Sequence, residues 1–251
     1  MRTTTYIGLV MGVTIVYLAV LAKGGDSSIF TNVVALLIAV GGTFSATTLS
    51  SSRITGVHAA SALKRIFITS SATSREIAGE LVQLARQAKA KGYASLDPRA
   101  VATKDPFLLK GLQLVADGVA PERIEELMRL ESEILSEKRT AAERMFRLMG
   151  TYSPMFGLVG TLIGLIQMLK GLTDPRAIGQ GMSVALMATF YGVLLAGLLF
   201  LPLAGKIRTL DLDERLQRDQ TIAGLLAIRI GQNPEYVRET LEVFSGTGSP
   251  T

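Results

Sequence analysis

Thr161 and Thr189 are hydroxyl side chains set inside two apolar stretches, Met155–Leu169 and Met182–Leu203. A hydroxyl in such a place coordinates a cation or orients water, but it stores no proton at neutral pH. Around Thr161 the chain reads Pro154-Met-Phe-Gly-Leu-Val-Gly-Thr-Leu-Ile-Gly164. On a helix, Gly157, Gly160, Thr161, Gly164 and Met168 recur at offsets of three and four and share one face. Gly181, Ala185, Ala188, Thr189, Gly192 and Ala196 form a second small-residue stripe by the same arithmetic. In lipid, such stripes let helix backbones approach closely. From these residues two readings stay open: a packing seam alone, or a seam whose threonines line an ion route.

What is missing narrows the chemistry. None of the apolar stretches contains Asp, Glu, Lys or Arg, although proton relays normally place an ionisable group at membrane depth. If the chain conducts ions, a partner must supply the acidic group. Pro154 and Pro202 fit that picture, because proline frees a backbone carbonyl, which is tolerated where it is buried or lines a cavity. There is no nucleophile–base pair, phosphate loop or metal cluster, so an enzyme reading is poor and no cofactor is expected. Gly157-x-x-Gly160 lies inside a span rather than after a strand and is no nucleotide loop. His58 is the only histidine and there is no cysteine, which leaves thiolate metal sites and disulfides out.

The elements that position these residues are two apolar hairpins. With 48% hydrophobic residues and a mean hydropathy of +0.37, the chain is too apolar for an ordinary soluble domain. The first hairpin (residues 1–52) pairs spans near 5–22 and 29–50; the second (151–205) pairs spans near 152–170 and 181–204. Each span suits a hydrocarbon core of roughly 30 Å at about 1.5 Å per residue. The first span lacks a basic leader and is followed at once by another, so it reads as a retained helix. Of 26 Lys and Arg, 16 fall in residues 53–147 and six in 206–251. The hairpin tips hold only Lys23, Lys170 and Arg176, which places both termini in the cytoplasm. This topology accounts for the basic balance, and no basic-aromatic patch points to nucleic acid.

Between the hairpins, residues 53–150 read as a helical cytoplasmic domain. Thr73-Ser-Arg-Glu76 has capping-box spacing for a helix to Lys91, stopped by Gly92. Asp105-Pro106 opens another, closed at Asp117-Gly118. A charged helix from Pro121 to Met149 carries Glu125–Arg129 and Glu143–Arg147 as i,i+4 pairs. It enters the third span with only Gly150 to interrupt it and is a candidate stalk. Residues 206–251 continue as a helix to Ile230, a stop at Gly231, a short helix capped by Asn233-Pro234, and a tail expected to be disordered. The predicted class is an all-α integral membrane protein with four spans in two hairpins and a helical cytoplasmic domain.

These motifs, in this order, resemble the MotA/PomA flagellar stator family, with a more PomA-like character. The resemblance is carried by the Pro154–Gly164 run, Asp174-Pro-Arg-Ala-Ile-Gly179, Ala185-Leu-Met-Ala-Thr-Phe-Tyr-Gly192 and Pro202-Leu-Ala-Gly-Lys206. Lys110-Gly-Leu-Gln-Leu-Val-Ala-Asp-Gly118 and Ile228-Arg-Ile-Gly-Gln-Asn-Pro234 agree as well, so it spans nearly the whole chain. It implies a pentamer around a dimer of a MotB/PomB-type partner that supplies the essential aspartate. It also implies transported Na+ or H+, an inner-membrane location at the flagellar basal body, and a rotor protein, FliG, as the body pushed. Pro154 and Pro202 match two functional prolines, and Thr189 a threonine facing the partner's aspartate. Gly157, Gly160, Gly164, Tyr191 and Gly192 match partner-facing or conformational positions. Thr161 matches a threonine typical of sodium-driven members, while Ala188 stands where those members often carry a further threonine. The balance leans to sodium. Lys89, Lys91 and Asp97 sit near the family's rotor-facing charges, with a solvated helix end as the alternative. Pro98 and Ala100 occupy positions where PomA-like chains have glutamates. Two other readings are an ExbB/TolQ-type energiser of outer-membrane transport, typically three spans with an outside N-terminus, and a scaffold that conducts nothing.

Overall fold

The capping signals act where the sequence places them. A computed structural model of the chain describes residues 2–22, 30–68, 73–97, 103 and 105–245. Helix α5 (Ser74–Lys91) opens on a capping box, in which the Thr73 N–H donates to Glu76 Oε2 at 2.7 Å. Asp105 Oδ1 accepts from Phe107 N at 3.0 Å to start α6 (Pro106–Ala116). Asn233 caps α10 (Pro234–Glu242) in the same way. Each expected stop is a left-handed glycine, Gly92 at φ 79°, Gly118 at 74° and Gly231 at 79°, a conformation that costs a residue without Cβ little. The expected side-chain pairs Glu125–Arg129 and Glu143–Arg147 are both formed.

All described elements are helical. The chain begins with α1 (Arg2–Leu21), followed by α2 (Val33–Leu36), a π turn at Leu37–Gly41 and α3 (Gly42–Ser50), then α4 (Arg53–Ile68). Helix α7 runs unbroken from Pro121 to Lys170, 50 residues, with Pro154 inside it. The charged helix feeds into the apolar stretch through Gly150 without a break, as the sequence reading of a stalk expects. Helix α8 (Pro175–Leu195) passes through a π turn at Ala196–Phe200 into α9 (Leu201–Ile230). Pro202 supplies a cause: it has no N–H for the i−4 carbonyl and its ring crowds that carbonyl, so the turn before it relaxes to wider spacing. Three helical stretches, Val33–Ser50, Pro121–Lys170 and Pro175–Ile230, are long and apolar enough to cross a membrane.

The chain divides into two compact units, Met1–Thr69 with Lys138–Thr209, and Ser70–Glu137 with Leu210–Thr251. The division falls inside the stretch read from sequence as one cytoplasmic domain. Their interiors are built on opposite rules. In the second unit the fully buried side chains are large: Leu81, Leu96, Leu108, Leu112, Ile124, Met128, Leu225 and Leu241. That is the core of a water-soluble helical domain. In the first unit the buried residues are mostly small, among them Ala35, Ala39, Thr43, Thr47, Ala185, Ala188 and Gly192. Leu158, Leu162, Leu186 and Leu37 there face outward, each at least 60% exposed. The buried threonines turn their hydroxyls onto their own helix, Thr43 to Ala39 O at 2.5 Å and Thr47 to Thr43 O at 2.7 Å. In hydrocarbon, a polar group must be satisfied in this way.

Candidate functional site

The candidate site grows from the seam between α7 and α8, which touch backbone to backbone. A methyl group on Gly164 would stand 2.4 Å from Gly181 O, and one on Gly181 would stand 2.6 Å from Gly164 O. Farther along, Gly160 meets the Ala188 Cβ, and a methyl on Gly192 would stand 2.6 Å from Ser153 O. No side chain fits at these crossings. Ser153, not singled out from sequence, is fully buried and donates to Gly192 O at 2.9 Å. The signal was present, since Ser153 lies four residues before Gly157 on the same stripe, but serine is a weak mark beside a run of glycines.

The helical wheel groups Thr161 and Thr189 with the small residues; packing separates them. Each follows a seam residue by one position, Gly160 and Ala188 respectively, a rotation of about 100°. The two helices run antiparallel, so residues that trail the seam in the same sense lie on the same flank. Pro154, which follows Ser153, joins them. The Thr189 hydroxyl has two long contacts, to Gly157 O and Ala185 O, both at 3.4 Å. Thr161 donates to Leu158 O of its own turn at 2.5 Å. Around them Leu158, Leu165, Leu186 and Val193 are exposed, so the threonines border an open apolar flank.

The opposite flank is covered by the first hairpin. Phe156 precedes Gly157 and lays its ring on Gly42, where no Cβ could stand. Tyr191 precedes Gly192; its hydroxyl donates to Phe30 O at 2.5 Å and accepts from Asn32 N at 3.0 Å. The structure thus places Tyr191 against α2 of its own chain, away from the threonine flank. Asn32 also caps α2 through Ala35 N and donates to Ser183 Oγ at 3.2 Å. This polar knot, together with Phe156, sets which side of the seam is closed. Neither Asn32 nor Phe156 was legible as a site residue, because each acts through a contact more than a hundred residues away in the chain.

In the second unit, Lys89, Lys91 and Asp97 are exposed. Lys89 lines a shallow surface depression with Arg86, Asn233, Pro234 and Glu235, where Arg86 pairs with Glu235 at 3.2 Å. Pro98 and Ala100 lie outside the described residues. Among the described residues no group of His, Cys, Asp or Glu could hold a metal ion.

Comparison with known proteins places this architecture. The MotA/TolQ/ExbB proton channel family matches residues 99–220. Motility protein A of Borreliella burgdorferi is 32% identical over 97% of this chain and 94% of its own. The protein YtxD of Bacillus subtilis is 34% identical over 96% of this chain and 89% of its own. The solved structure of Campylobacter jejuni MotAB superposes with a TM-score of 0.89 at 27% identity, covering all of this chain and 98% of that one. The chain belongs to the MotA/TolQ/ExbB proton channel family, on its motility protein A side. It is accordingly an inner-membrane ion-channel subunit of the stator kind and not an enzyme.

Proposed function

We propose that this chain is the ring-forming subunit of a flagellar motor stator, working with a MotB-type partner. The carrying observation is the asymmetry of the α7–α8 seam. One flank is closed by the chain's own first hairpin; the other presents Thr161, Thr189 and Pro154 on an apolar surface without a carboxylate. A partner helix bearing an aspartate would complete that flank both chemically and sterically. MotAB complexes among the similar solved structures support such a partner, and full-length likeness to motility protein A favours the stator over a transport energiser.

In this reading the chain spans the membrane four times, with α1 as the first span and both termini in the cytoplasm. Five copies surround the partner dimer at the basal body. Cations pass along the Thr161–Thr189 flank, Ala188 backing it from the seam, and alternately load the partner's aspartates. Pro154 and Pro202, the latter beside the π turn, admit the backbone adjustment that each step needs. Lys89, Lys91 and Asp97 push FliG by charge. Sodium is the favoured ion, because Thr161 offers an oxygen ligand where a proton route needs none.

The test is swimming speed against sodium concentration at fixed pH, in a stator-deleted host carrying this chain and its cognate partner. Speed that climbs with sodium, and fails in Thr161→Ala, supports the sodium route. Sodium-indifferent swimming that a protonophore abolishes would make the motor proton-driven and Thr161 a packing residue. Absence of motility with a correctly assembled complex would sink the stator reading.

A further inference from the structure

Arg218 is the one buried guanidinium among the described residues, and the reading above gives it no task. It lies in the second unit on α9, 7% exposed. Its Nε donates to Ser132 Oγ at 2.9 Å and one terminal nitrogen donates to Ser136 Oγ at 2.7 Å, both serines on α7. Along its own helix it faces Asp211 at 3.6 Å and Glu214 at 3.7 Å, and both carboxylates are themselves buried. Burial pushes the guanidinium below its ordinary pKa, with Glu214 and Asp211 pushing back. It still carries its charge near neutrality.

This is an expensive way to join two helices. Apolar residues of similar volume often hold a buried site as well as an ion pair does, whereas an orphaned buried charge is strongly destabilising. What the polar arrangement adds is position. The two serines are one turn apart and meet two corners of a rigid planar fork, so the contact exists at one axial offset. Within this unit the helices run antiparallel: Ser136, Ser132 and Met128 descend α7 as Arg218 and Leu225 ascend α9, Met128 and Leu225 both meeting Gly111. A slide of one turn toward Met128 would set the guanidinium against a fully buried thioether and leave a serine without its donor.

We propose that Arg218, with Ser132 and Ser136, is a register lock that makes α7 and α9 move as one body along their axes. Its consequence for motility rests on the stator reading: a pushed surface transmits force only if its two long helices do not shear. The lock itself stands apart from that reading and is measured without it.

The chain has no cysteine, so spin labels can be placed on Glu122→Cys and Asp219→Cys, both exposed, in the full chain, with labelled copies diluted into unlabelled chain and assembled with its partner in liposomes. The expected result is one narrow distance in the wild type. With the labels staggered along the axes, Arg218→Lys, which keeps the charge and loses the fork, adds a second distance shifted by about 4 Å, most of a one-turn slide of about 5.4 Å. Should Arg218→Lys not fold, Ser132→Ala with Ser136→Ala removes the lock and leaves the charges paired. The neutral variant Asp211→Asn/Glu214→Gln/Arg218→Met is expected to recover the wild-type melting temperature but keep two distances. A single unshifted distance in the folded lock variants would overturn the proposal, as would a neutral variant that recovers both stability and the single distance. A wild-type complex that shows one distance yet drives no motility would instead count against the stator reading.

Discussion

The two units of this molecule bury opposite things. The second packs leucine, isoleucine and valine inward around α5, α6 and α10, and its surface carries charge pairs such as Lys110–Glu131. The first packs mostly glycine, alanine, serine and threonine inward, with fewer large side chains such as Phe146 and Phe200, and turns many of its large aliphatic side chains out. In water, burial of apolar area drives packing, so the largest side chains go inside. In lipid that drive vanishes between helices, and close backbone contact with satisfied hydroxyls takes over. The inversion therefore reports the solvent of each unit. It also says where function sits: the unit that leaves its large apolar flanks open is the one that needs lipid, further copies or a partner to complete it.

The largest expected effect comes from forcing a side chain into the seam. Gly164→Leu collides with Gly181 and Ala185 backbone atoms, neither of which can retreat without separating α7 from α8. Expected is loss of assembled complex, measured by co-purification with the partner from membranes. Comparable recovery of the mutant would break the contrast between the units.

Next comes a cavity in the soluble-type core. Leu112 is fully buried, and Leu112→Ala should cost about 2–5 kcal/mol, as large-to-small core changes do. Leu162→Ala, on the outward face of α7 at 60% exposure, should leave the fold of a single chain nearly unchanged. Thermal unfolding of the chain purified without its partner compares the two, and an equal loss from both would show that outward leucines are core residues after all. Smaller still is the capping box. Thr73→Ala removes the oxygen that caps α5 and should lower stability by about 1 kcal/mol, read from the shift of a denaturant midpoint.

The smallest change, opposite in sign, separates glycines that pack from glycines that do not. Gly79 sits mid-helix in α5 with nothing within 4 Å of an added Cβ. Gly79→Ala should stabilise by roughly 0.5–1 kcal/mol through backbone entropy. Gly192→Ala, the same chemical change, meets Ser153 O at 2.6 Å and should destabilise instead. Both are read from the same melting curves, and one sign for both would end the distinction.

Much of this was legible in the chain itself. Caps at Thr73, Asp105 and Asn233 and stops at Gly92, Gly118 and Gly231 are local chemistry, decided within a few residues. The small-residue stripes followed from helical period alone, and so did the apolar lengths. The absence of carboxylate at membrane depth was read directly. The continuation of α7 into the Pro154 stretch was legible as well, but what packs beside the weak former Gly150 was not. A methyl on Gly150 would stand 2.5 Å from Leu201 of the π-turned α9, a contact fifty residues off.

What the sequence by itself determined was therefore membership: all-α, membrane-embedded, small faces on the second hairpin, hydroxyls but no carboxylate among them. Sidedness was decided only by tertiary structure. A one-residue step along a helix turns a side chain by about 100°, enough to move Thr161 and Thr189 off the seam their glycine neighbours form. Which flank they then occupy depends on where the first hairpin lies, and that is held by Tyr191 on Phe30 and Asn32 and by Phe156 on Gly42. The Arg218 clasp is of the same kind, since its serines and carboxylates come together only when two helices eighty residues apart in the chain are laid side by side. Periodicity states which residues share a face; only packing states what that face meets.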